Sequence, residues 1–215
     1  METLRQPGQQ TGLGAGQVDA RHANLGESKF LAPGLYLRNH LTAINEQAGV
    51  LHRPIVKSLV WANEAQTQLF AAALARQVAL RDSFVELRGE LGAGKTTLVR
   101  HLLQALGVLG RIKSPTYAVV EPYELAHTPT DPRPLAIWHF DFYRFADPRE
   151  WEDAGFRDIF SSPGLKLAEW PENAADFLPL ADLVVHLEVH TDGSRRVRLV
   201  AQSPTGAALL AAPSA

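Results

Sequence analysis

The chain has 215 residues and a mass of 23.5 kDa, with 46% hydrophobic and 20% charged residues, a formal net charge of -2 and a pI near 6.4. That is enough chain for one globular domain plus tails, and the charge gives no overall reason to bind nucleic acid, which needs clustered Lys and Arg. The absence of cysteine excludes disulfides, thiolate metal sites and cysteine nucleophiles.

In chain order, residues 1–53 are rich in Gly, Gln and polar residues and read as a mostly disordered arm. The start "METLRQPGQQ" lacks the basic-then-apolar pattern of a secretory signal. No window approaches the roughly 18 apolar residues of a membrane span, so the expected location is the cytoplasm, with no membrane partner. Within the arm Leu37, Leu41, Ile44 and Ala48 lie at i, i+4, i+7 and i+11, the spacing of one helical face, which suits an ordinary surface helix better than a docking one.

The folded domain is expected over 54–202. "PIVKSLVW" reads as a strand, followed by a helix whose Asn63 and Gln66 form a capping-box pair. "SFVELRG" is the next strand and runs into a Gly-rich loop. "TTLVRHLLQALG" is then a helix closed by Gly107. "YAVVEPY" and "LAIWHFDF" are strands separated by the loop "AHTPTDPRP". Asp147, Pro148 and Glu150 open a short helix, and "GLKLAEW" is a further buried strand. "DLVVHLEVH", a turn at Asp192 and Gly193, and "RRVRLVA" form a C-terminal β-hairpin. "SPTGAALLAAPSA", residues 203–215, reads as a flexible, frayed tail. Together these elements predict an α/β P-loop NTPase fold, with a small mixed, mostly parallel sheet flanked by helices.

The strongest chemical signal is "GELGAGKTT". Gly89, Gly94, Lys95 and Thr96 satisfy G-x-x-x-x-G-K-[ST]. Such a loop turns its backbone N–H groups around phosphate oxygens, with the lysine on the β and γ phosphates and the threonine hydroxyl on Mg²⁺. The nucleotide-contacting set is therefore Gly89, Glu90, Leu91, Gly92, Ala93, Gly94, Lys95, Thr96 and Thr97, with ATP and Mg²⁺ as cofactors. Phosphoryl chemistry also needs a carboxylate near the metal. Asp141 and Glu169 each close an apolar run, so both can face the phosphates if their strands run parallel to the one before Gly89. Either could instead be a solvated strand-end acid, and which would ligate the metal and which orient water stays open.

His139 is expected to support Asp141. His186, Glu188 and His190 share one face of a strand and are better explained by ordinary half-burial than by a metal site. Arg195, Arg196 and Arg198 read as a solvated strand with at most a weak RNA or protein contact. There is no N-K-x-D guanine reader and no transporter signature. Adenine preference itself has no identifiable sequence mark.

"GELGAGKTT", "KSPTYAVVEPYE", "HFDFYR" and "LAEWP", in that order and spacing, closely resemble the TsaE (YjeE) family over about residues 54–200. The resemblance implies an ATPase accessory subunit of bacterial tRNA threonylcarbamoyladenosine (t6A) modification. It implies TsaD and TsaB as partners, with tRNA reached indirectly, and a nucleotide cycle that resets that transferase between turnovers. It further implies Lys95 and Thr96 on phosphate and Mg²⁺, Glu169 as a metal-side acid, and Asp141 as a metal-side or water-orienting acid. Ser114, Pro115, Thr116 and Tyr117 would form a switch-type segment over the γ phosphate, with Trp170 beside the site. The residues alone leave two other functions open: a P-loop small-molecule kinase, for which "HTPTDPRP" is the lid candidate, and a nucleotide-gated binding module with incidental hydrolysis.

Overall fold

A computed structural model describes residues 54–211, and the arm 1–53 with its candidate helix, like the last four residues, lies outside the described residues. Seven strands form one sheet: β1 (Ile55–Trp61), β2 (Phe84–Arg88), β3 (Val120–Leu125), β4 (Leu135–Asp141), β5 (Leu165–Glu169), β6 (Leu183–Val189) and β7 (Arg195–Ala201). Their spatial order is β1-β7-β6-β2-β5-β4-β3. The pairs β6–β2, β2–β5 and β5–β4 are parallel, while β1–β7, β7–β6 and β4–β3 are antiparallel. Only β3 and β7 therefore oppose the common direction, as the expected mostly parallel sheet with a closing hairpin requires.

Central strands β2 and β5 are buried nearly throughout, as strands covered on both faces must be. One face carries α1 (Glu64–Ala75) and α2 (Lys95–Leu106). There Leu98, Val99, Leu102 and Leu103 of α2 join Val85, Leu87, Leu165, Leu167 and Val185 in the larger core. The other face is aromatic and lies under α3 (Pro148–Asp153) and α4 (Phe156–Ser161). Phe140 packs at 5.4 Å on Phe142 and at 5.3 Å, edge-on, against Phe156, while Trp151 stacks on Phe160 at 5.5 Å. These two short helices provide the crossover between parallel strands β4 and β5.

The local capping signals are realised. Asn63 Oδ1 accepts from the Gln66 N–H at 3.3 Å, and Gln66 Oε1 in turn accepts from the Ala62 N–H. Gly107, in the left-handed region, closes α2 by donating to the Gln104 and Leu103 carbonyls, and Asp147 caps α3 through the Arg149 N–H.

Two expectations are corrected. The segment "YAV" is not strand: β3 starts only at Val120, because Val119 takes φ 65° and turns its carbonyl to the Asp141 N–H at 2.9 Å. The tail is also not frayed over its first part, since Pro204–Leu210 is a helix, α5. Ser203 caps it by accepting from the Gly206 N–H at 3.1 Å, and its hydroxyl donates to Asp182. Leu209 is buried in the larger core. Glycine is required at 206, where a Cβ would stand 1.8 Å from the Asp182 carbonyl oxygen. Among the described residues no helix is long and apolar enough to cross a membrane.

Candidate functional site

The carboxyl ends of β2, β4 and β5 converge at the start of α2. From β2 the chain passes through Gly89, Glu90, Leu91, Gly92, Ala93 and Gly94 into α2, whose first three residues are Lys95, Thr96 and Thr97. Gly89 takes φ 147°, and a Cβ there would lie 2.3 Å from the Leu187 carbonyl oxygen of β6, so the loop leaves β2 along a path only glycine permits. Ala93 is buried, while Leu91 projects outward.

Lys95 is buried, and its Nζ donates to the carbonyls of Gly89 at 2.5 Å and Glu90 at 3.0 Å. The same ammonium lies 3.8 Å from the centroid of the Trp170 ring. Desolvation lowers its pKa from the ordinary 10.5, opposed by the carboxylates of Glu169, Glu172, Asp141 and Glu90, in that order. The arrangement keeps a positive charge beside the loop at a cost in solvation that an anion would offset.

Thr96 Oγ1 donates to Glu169 Oε2 at 2.9 Å, and Glu169 Oε1 is 2.9 Å from His139 Nε2. A carboxylate only accepts, so the imidazole proton in this bond sits on Nε2. His139 Nδ1 is buried and has no partner among the described residues. The histidine therefore holds Glu169, not Asp141 as the sequence suggests. The register explains the difference: Asp141 lies opposite Glu169 and His139 opposite Leu167, which makes His139 and Glu169 diagonal neighbours across parallel strands.

Asp141 is buried and turned to a different partner set. Its Oδ2 accepts from Thr116 Oγ1 at 2.8 Å and from Ser114 Oγ, and its Oδ1 accepts from the Tyr143 N–H at 3.0 Å. The two acids thus stand side by side on β4 and β5 with separate partners. Glu169 is bound to the phosphate-loop helix, and Asp141 to the 114–117 segment.

The two non-glycine residues at positive φ among those described, Val119 and Trp170, flank these contacts. Val119 ends the Ser114-bearing segment, and Trp170 directly follows Glu169. A branched or bulky side chain in the left-handed region costs on the order of 1–3 kcal/mol, a strain that tends to persist where geometry at a site demands it. Trp170 lies over Lys95 and packs on Tyr143, with ring centroids 5.0 Å apart. Arg144 stacks on Tyr117 at 4.6 Å.

Sequence reasoning missed Arg195. Far from being merely a solvated strand residue, it donates from Nε to the Ala93 carbonyl at 3.2 Å and so braces the loop from the hairpin. A contact across 102 positions leaves no local mark in the sequence. On the remaining polar face of the hairpin Glu188 lies 3.8 Å from Arg196 and His186 3.2 Å from Arg198, while His190 Nε2 is buried without a partner among the described residues. Burial, followed by the charges of Arg198 and Arg88, lowers the His186 pKa from 6.5. Among the described residues no group of three or more His, Cys, Asp or Glu side chains is arranged to hold a metal ion.

The candidate lid "HTPTDPRP" lies before β4, whose far end carries Asp141. Seven strand residues at about 3.3 Å each put that loop roughly 20 Å from the acid. There Pro129 sits against Gly107 at the C-terminal end of α2, and Asp131 pairs with Arg133 at 2.7 Å.

A family model described as "Threonylcarbamoyl adenosine biosynthesis protein TsaE" matches residues 61–197. The chain is 44% identical over 128 residues to the tRNA threonylcarbamoyladenosine biosynthesis protein TsaE of Haemophilus influenzae, a match covering 60% of this chain and 76% of that one. It is 30% identical over 148 residues to the Bacillus subtilis protein of the same name, covering 68% and 87% respectively. In three dimensions it matches the crystal structure of Bacillus subtilis YdiB with a TM-score of 0.58 at 22% identity, covering 74% of this chain and 95% of that one. That likeness concerns the fold, an α/β P-loop NTPase architecture.

Proposed function

The chain belongs to the TsaE family of tRNA threonylcarbamoyladenosine biosynthesis proteins, and from that membership we propose that it is a cytoplasmic, Mg²⁺-dependent ATPase acting on a TsaB–TsaD partner complex. In this reading its ATP binding and hydrolysis reset the transferase between turnovers, and tRNA is reached only through the partners. The observation that carries the reading is the chain Thr96–Glu169–His139 at the end of the phosphate loop, beside a second acid tied to a separate segment.

The residues fit the implied cofactors. A buried ammonium held only by loop carbonyls and a ring face suits phosphate oxygens. A hydroxyl and a carboxylate 2.9 Å apart are hard oxygen donors of the kind Mg²⁺ takes, one or two from protein and the rest from phosphate and water. When bound, Mg²⁺ and ATP supply the transferable phosphoryl group and its charge neutralisation.

Thr96 and Glu169 would hold the ion, and Lys95 would face the phosphate oxygens. His139 keeps Glu169 from rotating away. The Thr116 hydroxyl has a single proton and cannot give it at once to Asp141 and to a phosphate. The 114–117 segment therefore has two alternative anchors, which is the property of a switch.

The test is reconstitution with TsaB, TsaD, tRNA and ATP, counting modification turnovers with and without this protein. Multi-turnover modification should require it, and Lys95→Ala should abolish that ATP-dependent support. Turnover indifferent to the protein, or undiminished in that variant, overturns the proposal. The bonds of Ser114 and Thr116 to Asp141, for which a phosphate would compete, favour one second reading, a nucleotide-gated binding module. A Glu169 variant that binds ATP without hydrolysing it, yet supports normal multi-turnover modification, would favour that reading. Phosphoryl transfer to a metabolite is disfavoured by the distance of the candidate lid, residues 127–134, from Asp141.

A further inference from the structure

Beside the phosphate site, α2 and the 110–114 segment enclose an open cleft of about 490 Å³. Its lining includes Arg100, Arg111 and Lys113 and no carboxylate. Among the described residues none of these three cations is paired with an acid, and Arg100 Nε reaches only the Ile112 carbonyl oxygen, at 3.5 Å. Arg111 and Lys113 are exposed. Three like charges converging on one concavity in a chain of net charge -2 form a local field that attracts an anionic occupant.

The residues that flank the lining segment in the chain indicate the kind of occupant. Leu109, two residues before Arg111, is 93% exposed, and Tyr117 is 86% exposed. An apolar anchor beside a small charged pocket fits a protein interface, where a few buried side chains carry the affinity and charges set the register. A nucleic-acid backbone fits less well. Three cations neutralise few phosphates, and the Tyr117 ring already carries Arg144 on one face.

Both walls of the cleft lead to the phosphate site. Arg100 and Gln104 stand on the helix that begins with Lys95 and Thr96. Ser114 lines the cleft and also donates to Asp141. An occupant that shifts the 110–114 segment therefore acts on Asp141 directly.

We propose that this cleft docks an acidic segment of the partner protein complex, one bearing two or three carboxylates next to an apolar side chain, and that docking and nucleotide state are coupled through Ser114. The proposal rests on the functional reading above and adds the surface and the chemistry of recognition. By linkage, a partner that binds more tightly in one nucleotide state must change nucleotide affinity by the same factor.

The experiment measures binding of the full chain to immobilised TsaB–TsaD complex, with ADP and with a non-hydrolysable ATP analogue. Wild type is compared with the doubly substituted chains Arg111→Glu with Lys113→Glu, and Arg111→Gln with Lys113→Gln. Labelled tRNA is a separate probe, and thermal unfolding with and without nucleotide reports folding and loop occupancy. Charge reversal should weaken partner binding about tenfold or more and neutralisation less, with the nucleotide-induced thermal shift preserved. Added salt should weaken the wild type more than the reversed chain. Equal partner affinity for wild type and reversed chain overturns the cleft assignment and leaves the ATPase reading standing. No binding by wild type overturns both. Loss of tRNA binding on reversal, with partner binding intact, assigns the cleft to RNA and overturns the proposal.

Discussion

Replacing His139 separates a structural histidine from one that positions Glu169, the proposed metal-side acid. The ring is fully buried, so no water can take over its hydrogen bond to Glu169 Oε1. A hydrogen bond to a charged group contributes about 1.5–3 kcal/mol. Passed on entirely to metal binding, that corresponds to roughly 10- to 150-fold in affinity at 1.4 kcal/mol per decade. Loss of groups that orient metal ligands typically costs about 10- to 100-fold, which is the same range. Side-chain length provides the control. A glutamine amide reaches the place of Nε2, whereas an asparagine amide reaches only the place of Nδ1, where the structure offers no partner. His139→Asn should therefore raise the Mg²⁺ concentration needed for half-maximal ATP hydrolysis by about 10- to 100-fold, with excess Mg²⁺ restoring most of the rate. His139→Gln should stay within about threefold of wild type. The assay is phosphate release across a Mg²⁺ titration at saturating ATP, with thermal unfolding to verify that both chains are folded. If the two folded variants show the wild-type Mg²⁺ requirement, or are impaired equally, His139 does not act through Glu169.

Three further outcomes follow from the packing. Gly89→Ala drives a Cβ onto the Leu187 carbonyl oxygen, a backbone atom that no rotamer change can move; it should cost about 2–3 kcal/mol in urea unfolding, and a variant as stable as wild type would contradict the close passage of the loop past β6. Ending the chain after Gln202 removes buried Leu209 and the Ser203 cap. It should lower stability by about 2–4 kcal/mol, and unchanged unfolding would show that α5 does not dock. Burial raises the Glu86 pKa above its ordinary 4.5, despite the bond from Arg88. The folded chain then holds a proton that the unfolded chain has lost, so this group's contribution is full below pH 4.5 and declines as pH rises through the folded value. Glu86→Gln should gain in melting temperature relative to wild type as pH is raised from 4 to 7, and a gap that narrows over that range refutes the assignment.

The signals legible in the sequence were contiguous ones. The phosphate loop could be read because strand, glycines, Lys95 and helix follow one another, and their function depends on that succession. Asn63, Gly107 and Asp147 marked helix ends for the same reason, since a cap acts within a few residues of itself. Both strand-end acids were also visible, because β4 and β5 are apolar runs that stop at Asp141 and Glu169. Helix α5 was not legible in the same way, because Gly206 weakens that segment as a helix; only the floor it meets, the Asp182 carbonyl, shows why the glycine is there.

Which partners each acid takes was decided by the tertiary structure. Sequence proximity linked His139 to Asp141, two residues away on the same strand face. The parallel register of β4 on β5 instead brings the ring to Glu169, and the return of the chain over Asp141 gives that acid to Ser114 and Thr116. The Arg195 brace, the place of β1 beside β7 and the convergence of Arg100, Arg111 and Lys113 have the same origin. By itself the sequence determined the family, the loop and the residue types that carry the chemistry, because these are set by covalent order. The pairing of those residues depended on which strands lie side by side and in what register, and that is set by burial of two apolar faces between helices far apart in the chain.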